Sequence, residues 1–133
     1  MIDERTETFT FKSIQKPEAI LFDGEQVLLA MVRHQKTQEE YIKQYELADK
    51  YFTKFRALNY LALPFKRAEK SMSDDICEVF LKATKDKAWG IRDLALQNLQ
   101  TYEGEKHNDA LYNRLKEMAF TEEKSTVRAE ALY

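Results

Sequence analysis

The sequence predicts a mainly α fold, a short right-handed α-α superhelix of helical pairs behind a small amino-terminal β segment. Three observations point there. Apolar residues recur with helical period from residue 37 to the end, as in Ile91, Leu94, Ala95, Leu99 and Tyr102 at i, i+3, i+4, i+8 and i+11. Phe55-Arg56, Ile91-Arg92 and Val127-Arg128 follow one another at thirty-six residues, the period of a helical repeat. Three Gly and two Pro in 133 residues leave few of the turns that an all-β fold needs. The expected division is a β segment over 1–36 and helical repeats over 37–133.

In residues 6–14, Phe9 and Phe11 alternate with Thr8, Thr10 and Lys12, the period of a half-buried strand. Lys16-Pro17 breaks it. Two continuous apolar runs follow, residues 19–22 and 27–32, on either side of Asp23-Gly24, where positive φ is easily accommodated; this predicts a hairpin. Runs apolar on both faces call for cover from both sides, which this chain supplies on one side only.

Thr37-Gln38-Glu39-Glu40 is a capping box and begins the helical part. Tyr41, Tyr45 and Ala48 make the first stripe. After a break near Asp49, Phe52, Phe55, Leu58 and Ala62 make a second, which Leu63-Pro64 should end. Ser73 is placed to cap a third helix, with Asp74 and Asp75 where the helix dipole favours negative charge and Ile76, Val79, Phe80 and Ala83 on its buried face. Residues 86–99 form its partner, closed by Gly104 after Tyr102. A third pair runs from Asn108, with Leu111, Tyr112, Leu115, Met118 and Ala119 inward, to a last helix after Ser125-Thr126 that stops short of its counterpart's length.

Asp86 precedes Arg92 by six residues, as Glu122 precedes Arg128. An arginine near the start of each second helix, bonded to an acid of its own or a neighbouring pair, sets the register of a stack, so Asp86, Arg92, Glu122 and Arg128 are the expected ladder. Lys50 stands where the first pair would carry its acid, and the ladder is expected to stop there. If the stack instead holds a peptide, Arg56, Arg92 and Trp89 are the groove candidates. Beside Gly90, Trp89 is expected to wedge between repeats. Asp74-Asp75 and Glu122-Glu123 read as helix-start acids, because neighbouring helical residues diverge too far to share a metal or a proton.

A net charge of -2, with basic residues dispersed among acids, excludes a nucleic-acid surface. No apolar run reaches the roughly 18 residues of a membrane span, and residues 1–16 lack a signal-peptide pattern. The single cysteine, Cys77, forms no intramolecular disulfide and reads as a buried small hydrophobe. His34 and His107 stand alone without a second ligand at helical spacing, so no metal, cofactor or catalytic residue is expected in this chain.

The D-x-x-x-x-I-R and E-x-x-x-x-V-R pattern resembles HEAT-type repeats, which implies a scaffold. The succession TFTFKSIQKPEAILFDGEQVLLA, KTQEEYIKQYELADKYFTKFRALNYL, DKAWGIRDLAL and VRAEAL is similar to the carboxyl-terminal part of bacterial zinc aminopeptidases of the aminopeptidase N family. That resemblance implies the end of a β-sandwich followed by the start of the helical domain that covers the active-site cavity. It implies as partners the remaining domains of the peptidase and the peptide passing over the concave face, and zinc in the parent protein. Cytoplasm and periplasm both stay open. The family's H-E-x-x-H zinc motif and its substrate-amine motif are absent here, so no catalytic residue carries over. The other class the residues allow is an independent HEAT-type adaptor.

Overall fold

The computed structural model describes residues 8, 10–21, 23, 27, 36–66 and 71–132. Among them are six helices: α1 (Gln38–Leu47), α2 (Tyr51–Lys66), α3 (Asp74–Ala83), α4 (Trp89–Leu99), α5 (Asn108–Thr121) and α6 (Ser125–Glu130). The fold is mainly α. Each odd-numbered helix packs on the even-numbered helix after it, and the even-numbered helices pack in succession, α2 on α4 and α4 on α6.

The capping box forms as its spacing dictates, the Thr37 hydroxyl accepting from the Glu40 amide and the Glu40 carboxylate accepting from the Thr37 amide. Tyr41, Tyr45 and Ala48 are buried. In α2 the buried face is Ala57, Leu58, Leu61 and Ala62, shifted from the expected stripe: Phe52 is 59% exposed and Phe55 only half-buried. Tyr51 holds this end instead, edge-on to Phe52 and stacked on Phe55. Nor does Pro64 end α2, which continues to Lys66. A proline in the last turn removes only one amide from the ladder, a loss a well-packed helix tolerates.

Ser73 is the residue before α3 but its hydroxyl makes no capping bond; Asp74 and Asp75 occupy the first turn, and Ile76, Cys77, Val79, Phe80 and Ala83 are buried. In α4, Ile91, Leu94, Ala95, Leu96 and Leu99 are all buried, because this helix packs against three others, α2, α3 and α6. The helix stops at Leu99, and Thr101 and Tyr102 close it with bonds back to Asn98 and Leu99. Gly104 serves a different need from the expected terminator: a Cβ there would lie 2.5–2.7 Å from the Tyr102 ring. Only Met118 of the expected inward set on α5 is buried, and Tyr112 is 66% exposed.

Two apolar clusters result. One joins the first two pairs around Leu58, Phe80 and Ile91, and the other joins α4 to the third pair through Leu96, Met118, Val127 and Ala131.

Where alternation predicts a strand, the described backbone at residues 8 and 10–14 is irregular, with Phe11 and Ile14 projecting into solvent. A period of two specifies a strand only when a second strand takes its amides and its apolar face. Phe9, Gly24 and residues 28–35 of the expected β segment lie outside the described residues. Asp23 does take positive φ, 49°, with its carboxylate accepting from the Val27 amide at 2.8 Å, a local turn of the kind the Asp-Gly step suggests.

Candidate functional site

The polar groups with the most constrained geometry lie between successive helical pairs. At the second joint, Arg92 in the first turn of α4 donates from Nη1 to the carbonyls of Asp86 and Lys87, 2.9 and 3.0 Å away. Its Nε and Nη2 donate to the two carboxylate oxygens of Glu122 at 2.8 and 2.6 Å, a planar fork meeting a planar acceptor. Glu122 in turn accepts from the Lys124 amide, at the start of α6. Little water reaches this pair, the side chains being 16% and 6% exposed. The bonds from Arg92 hold the Glu122 carboxyl below its ordinary value against the opposing effect of burial, and the same bonds raise Arg92.

One pair earlier the same construction recurs with a different cation. Asp86 accepts from the Ala88 amide at 2.9 Å, as Glu122 does from Lys124, and its other oxygen meets Lys54 Nζ of α2 at 2.6 Å. Burial alone would raise the Asp86 carboxyl, but the Lys54 and Ala88 bonds and the Lys54 charge outweigh it and leave it lowered. The ladder therefore runs one rung further back than Lys50 predicts. Lys54 is missed by a fixed-period search because it precedes its acid by thirty-two residues where Arg92 precedes by thirty.

A parallel tie joins the odd-numbered helices. Arg114 of α5 donates to the hydroxyl and carbonyl of Thr84, the residue capping α3, at 3.0 and 2.6 Å. No helical pattern singles out Arg114. Tyr102 links the loop after α4 to α3 by donating to Asp74 at 2.8 Å.

Comparison with protein-family models, curated proteins and solved structures finds no match. The geometry itself must then indicate what these residues do.

Of the four ladder residues, Arg92 and Glu122 meet directly, Asp86 meets Arg92 through its carbonyl, and Arg128 donates from Nη1 to the Glu122 carbonyl at 2.8 Å, repeating the Arg92 to Asp86 contact. Of the three groove candidates, Trp89 and Arg92 lie one turn apart on α4 and Arg56 lies on α2. Arg92 is committed to Glu122. Arg56 lines a narrow cleft with Lys36, Tyr41, Gln44 and Tyr60, where Tyr41 and Tyr60 stack at 5.0 Å. Trp89 is 50% exposed, with Lys124 Nζ over its ring at 4.8 Å, so it bridges successive pairs at the rim where a buried wedge is expected.

Among the described residues no group of three or more His, Cys, Asp or Glu is placed to hold a metal ion. His34 lies outside them, and His107 has a buried Nε2 with no hydrogen-bond partner there. Cys77 is fully buried, and desolvation first, then Asp74, pushes its thiol up to about 11, the state of an inert sulfur.

Proposed function

We propose that this chain is a non-catalytic, HEAT-like helical-repeat part of a larger zinc aminopeptidase, gating peptide access to a metal centre outside residues 1–133. Its helical pairs join through the even-numbered helices, as a stack of repeats requires. The observation that carries the reading is the Arg92 clamp, which ties its own pair to the next through one guanidinium. Arginines used in this way set the register of a stack and are withdrawn from chemistry, so the module acts by shape. Its concave face narrows the approach to the distant metal, admitting extended peptide ends. The zinc of the parent protein has no ligand set in this sequence, and no step here runs through it.

Two measurements test this. The purified chain, given zinc and a fluorogenic aminoacyl amide, is expected to bind no stoichiometric metal and to release no fluorophore; chelator-sensitive turnover by a clean sample refutes the reading. The encoding frame upstream of Met1 is expected to contain H-E-x-x-H and a later glutamate roughly several hundred residues earlier, the scale of intervening domains. A frame that opens at Met1, together with a specific protein partner, replaces the peptidase with an independent HEAT-type adaptor.

A further inference from the structure

Three positions of the second pair are covered by the pair that follows, and each has an equivalent thirty-six residues later: Leu96 and Leu132, Thr84 and Phe120, Arg92 and Arg128. Leu96 is closed in by Met118, Val127 and Ala131. Thr84 lies fully buried under the Arg114 guanidinium. Arg92 gives its Nε and Nη2 edge to Glu122. The later members are uncovered, with Leu132 72% and Phe120 81% exposed.

Arg128 is exposed, yet its Nη1 is already anchored on the Glu122 carbonyl just as Arg92 is anchored on that of Asp86. Among the described residues its Nε and Nη2 donate to nothing. The edge that receives a carboxylate at one joint is thus presented, pre-oriented, at the next, where Phe120 and Leu132 are the uncovered equivalents of Thr84 and Leu96.

We propose that this face docks a further helical pair carrying an Asp or Glu three residues before its second helix, the place Asp86 and Glu122 take before α4 and α6. The carboxylate seats on Arg128 Nε and Nη2 while the apolar side of the pair covers Phe120 and Leu132. The occupant is not a second copy of this chain added end to end, because Ala48 stands three residues before α2, where Asp86 and Glu122 stand before α4 and α6, and such a copy brings no carboxylate to that place. The inference rests on the repeat reading and is independent of the peptidase.

The probe is this chain extended after residue 132 by a second copy of its own residues 97–132. This keeps the thirty-six-residue period and places a glutamate thirty-six residues after Glu122. Amide exchange in α6 is expected to slow on the order of tenfold or more in the extended chain. Arg128→Ala should abolish most of that slowing while changing exchange in the original chain by less than about twofold. Arg128→Glu should abolish it too, and exchanging the appended glutamate for arginine should then restore it. Equal exchange in the two chains, or an appended segment that stays unfolded, overturns the proposal. So does concentration-dependent dimerisation of the original chain that Leu132→Asp abolishes, which would assign the face to a second copy. Arg92→Met in the original chain reports on the repeat reading separately: if it destabilises the stack and the extension still gives no protection, only the docking surface fails.

Discussion

Removing either partner of the Arg92–Glu122 fork should cost far more than removing one partner of an exposed ion pair. Arg92→Met keeps most of the apolar stem but leaves the Glu122 carboxylate with the Lys124 amide as its remaining bond. Glu122→Gln keeps one acceptor oxygen but leaves a guanidinium that is 16% exposed without its paired carboxylate. Fully buried pairs lose about 3–5 kcal/mol when one member is deleted and exposed pairs about 0–1. With two charge-assisted bonds and most of the water excluded, each single variant should lose about 2–3 kcal/mol. For a chain of this size that corresponds to a fall in Tm of roughly 6–10 °C. The double variant should lose less than the two singles together, with a coupling of about 2 kcal/mol. The assay is thermal and urea unfolding followed by circular dichroism. Lys43–Glu46 supplies the control, its side chains being 53% and 36% exposed, and Glu46→Gln should change stability by less than about 0.5 kcal/mol. Losses below about 0.5 kcal/mol in both single variants, or strict additivity, would refute the view that this fork holds the second and third pairs together.

The remaining tests bear on the neighbouring groups. Glu122 and Asp86 both have lowered carboxyl values in the folded chain, so their contribution is full above the unfolded range near pH 4 and is lost as pH falls through the folded values; Glu122→Gln should flatten part of that acid-side loss in urea midpoints, and stability that rises on acidification contradicts it. Lys54→Met strands the Asp86 carboxylate, which is 5% exposed and keeps only the Ala88 amide, and should cost about 2 kcal/mol, a loss that an unchanged urea midpoint would rule out. Cys77, raised to about 11, should carry thiolate in about one molecule in a thousand at pH 8, so a disulfide reagent should label it in urea but hardly in the native chain. Gly104→Ala should lower Tm because its Cβ would strike the Tyr102 ring, whereas Gly90→Ala meets only the partly exposed Tyr51 tip and should stay within about 1 kcal/mol of neutral, helix propensity offsetting the displaced ring.

The helices were legible because their signals are local or periodic. Thr37 and Glu40 lie three residues apart and meet in space for that reason, and the apolar stripes of α3 and α4 face one way because 3.6 residues make a turn. Phe52 and Tyr112 escaped because periodicity says which residues share a face and not whether another helix covers it. Phe11, in an alternating run yet exposed, shows the same gap for a strand. Lys54, Arg114 and the Tyr102 hydroxyl were illegible for a further reason: their partners lie twenty-eight to thirty-two residues away, at a separation that changes from joint to joint.

The acid at each joint has two oxygens and two tasks. One oxygen of Asp86 or Glu122 caps the amide two residues on, which shapes the entry to α4 or α6, and the carboxylate also accepts a cation from the preceding pair. The shape of each helix start is therefore coupled to the presence of the pair before it. Such coupling gives nearest-neighbour stability, in which a joint that opens loosens the next helix at its first turn. It also explains why the acid belongs to the later pair and the arginine to the earlier one. The arginine is anchored by its own pair's carbonyl before its neighbour arrives, so the stack grows onto a prepared edge, and at Arg128 that edge is still unoccupied among the described residues.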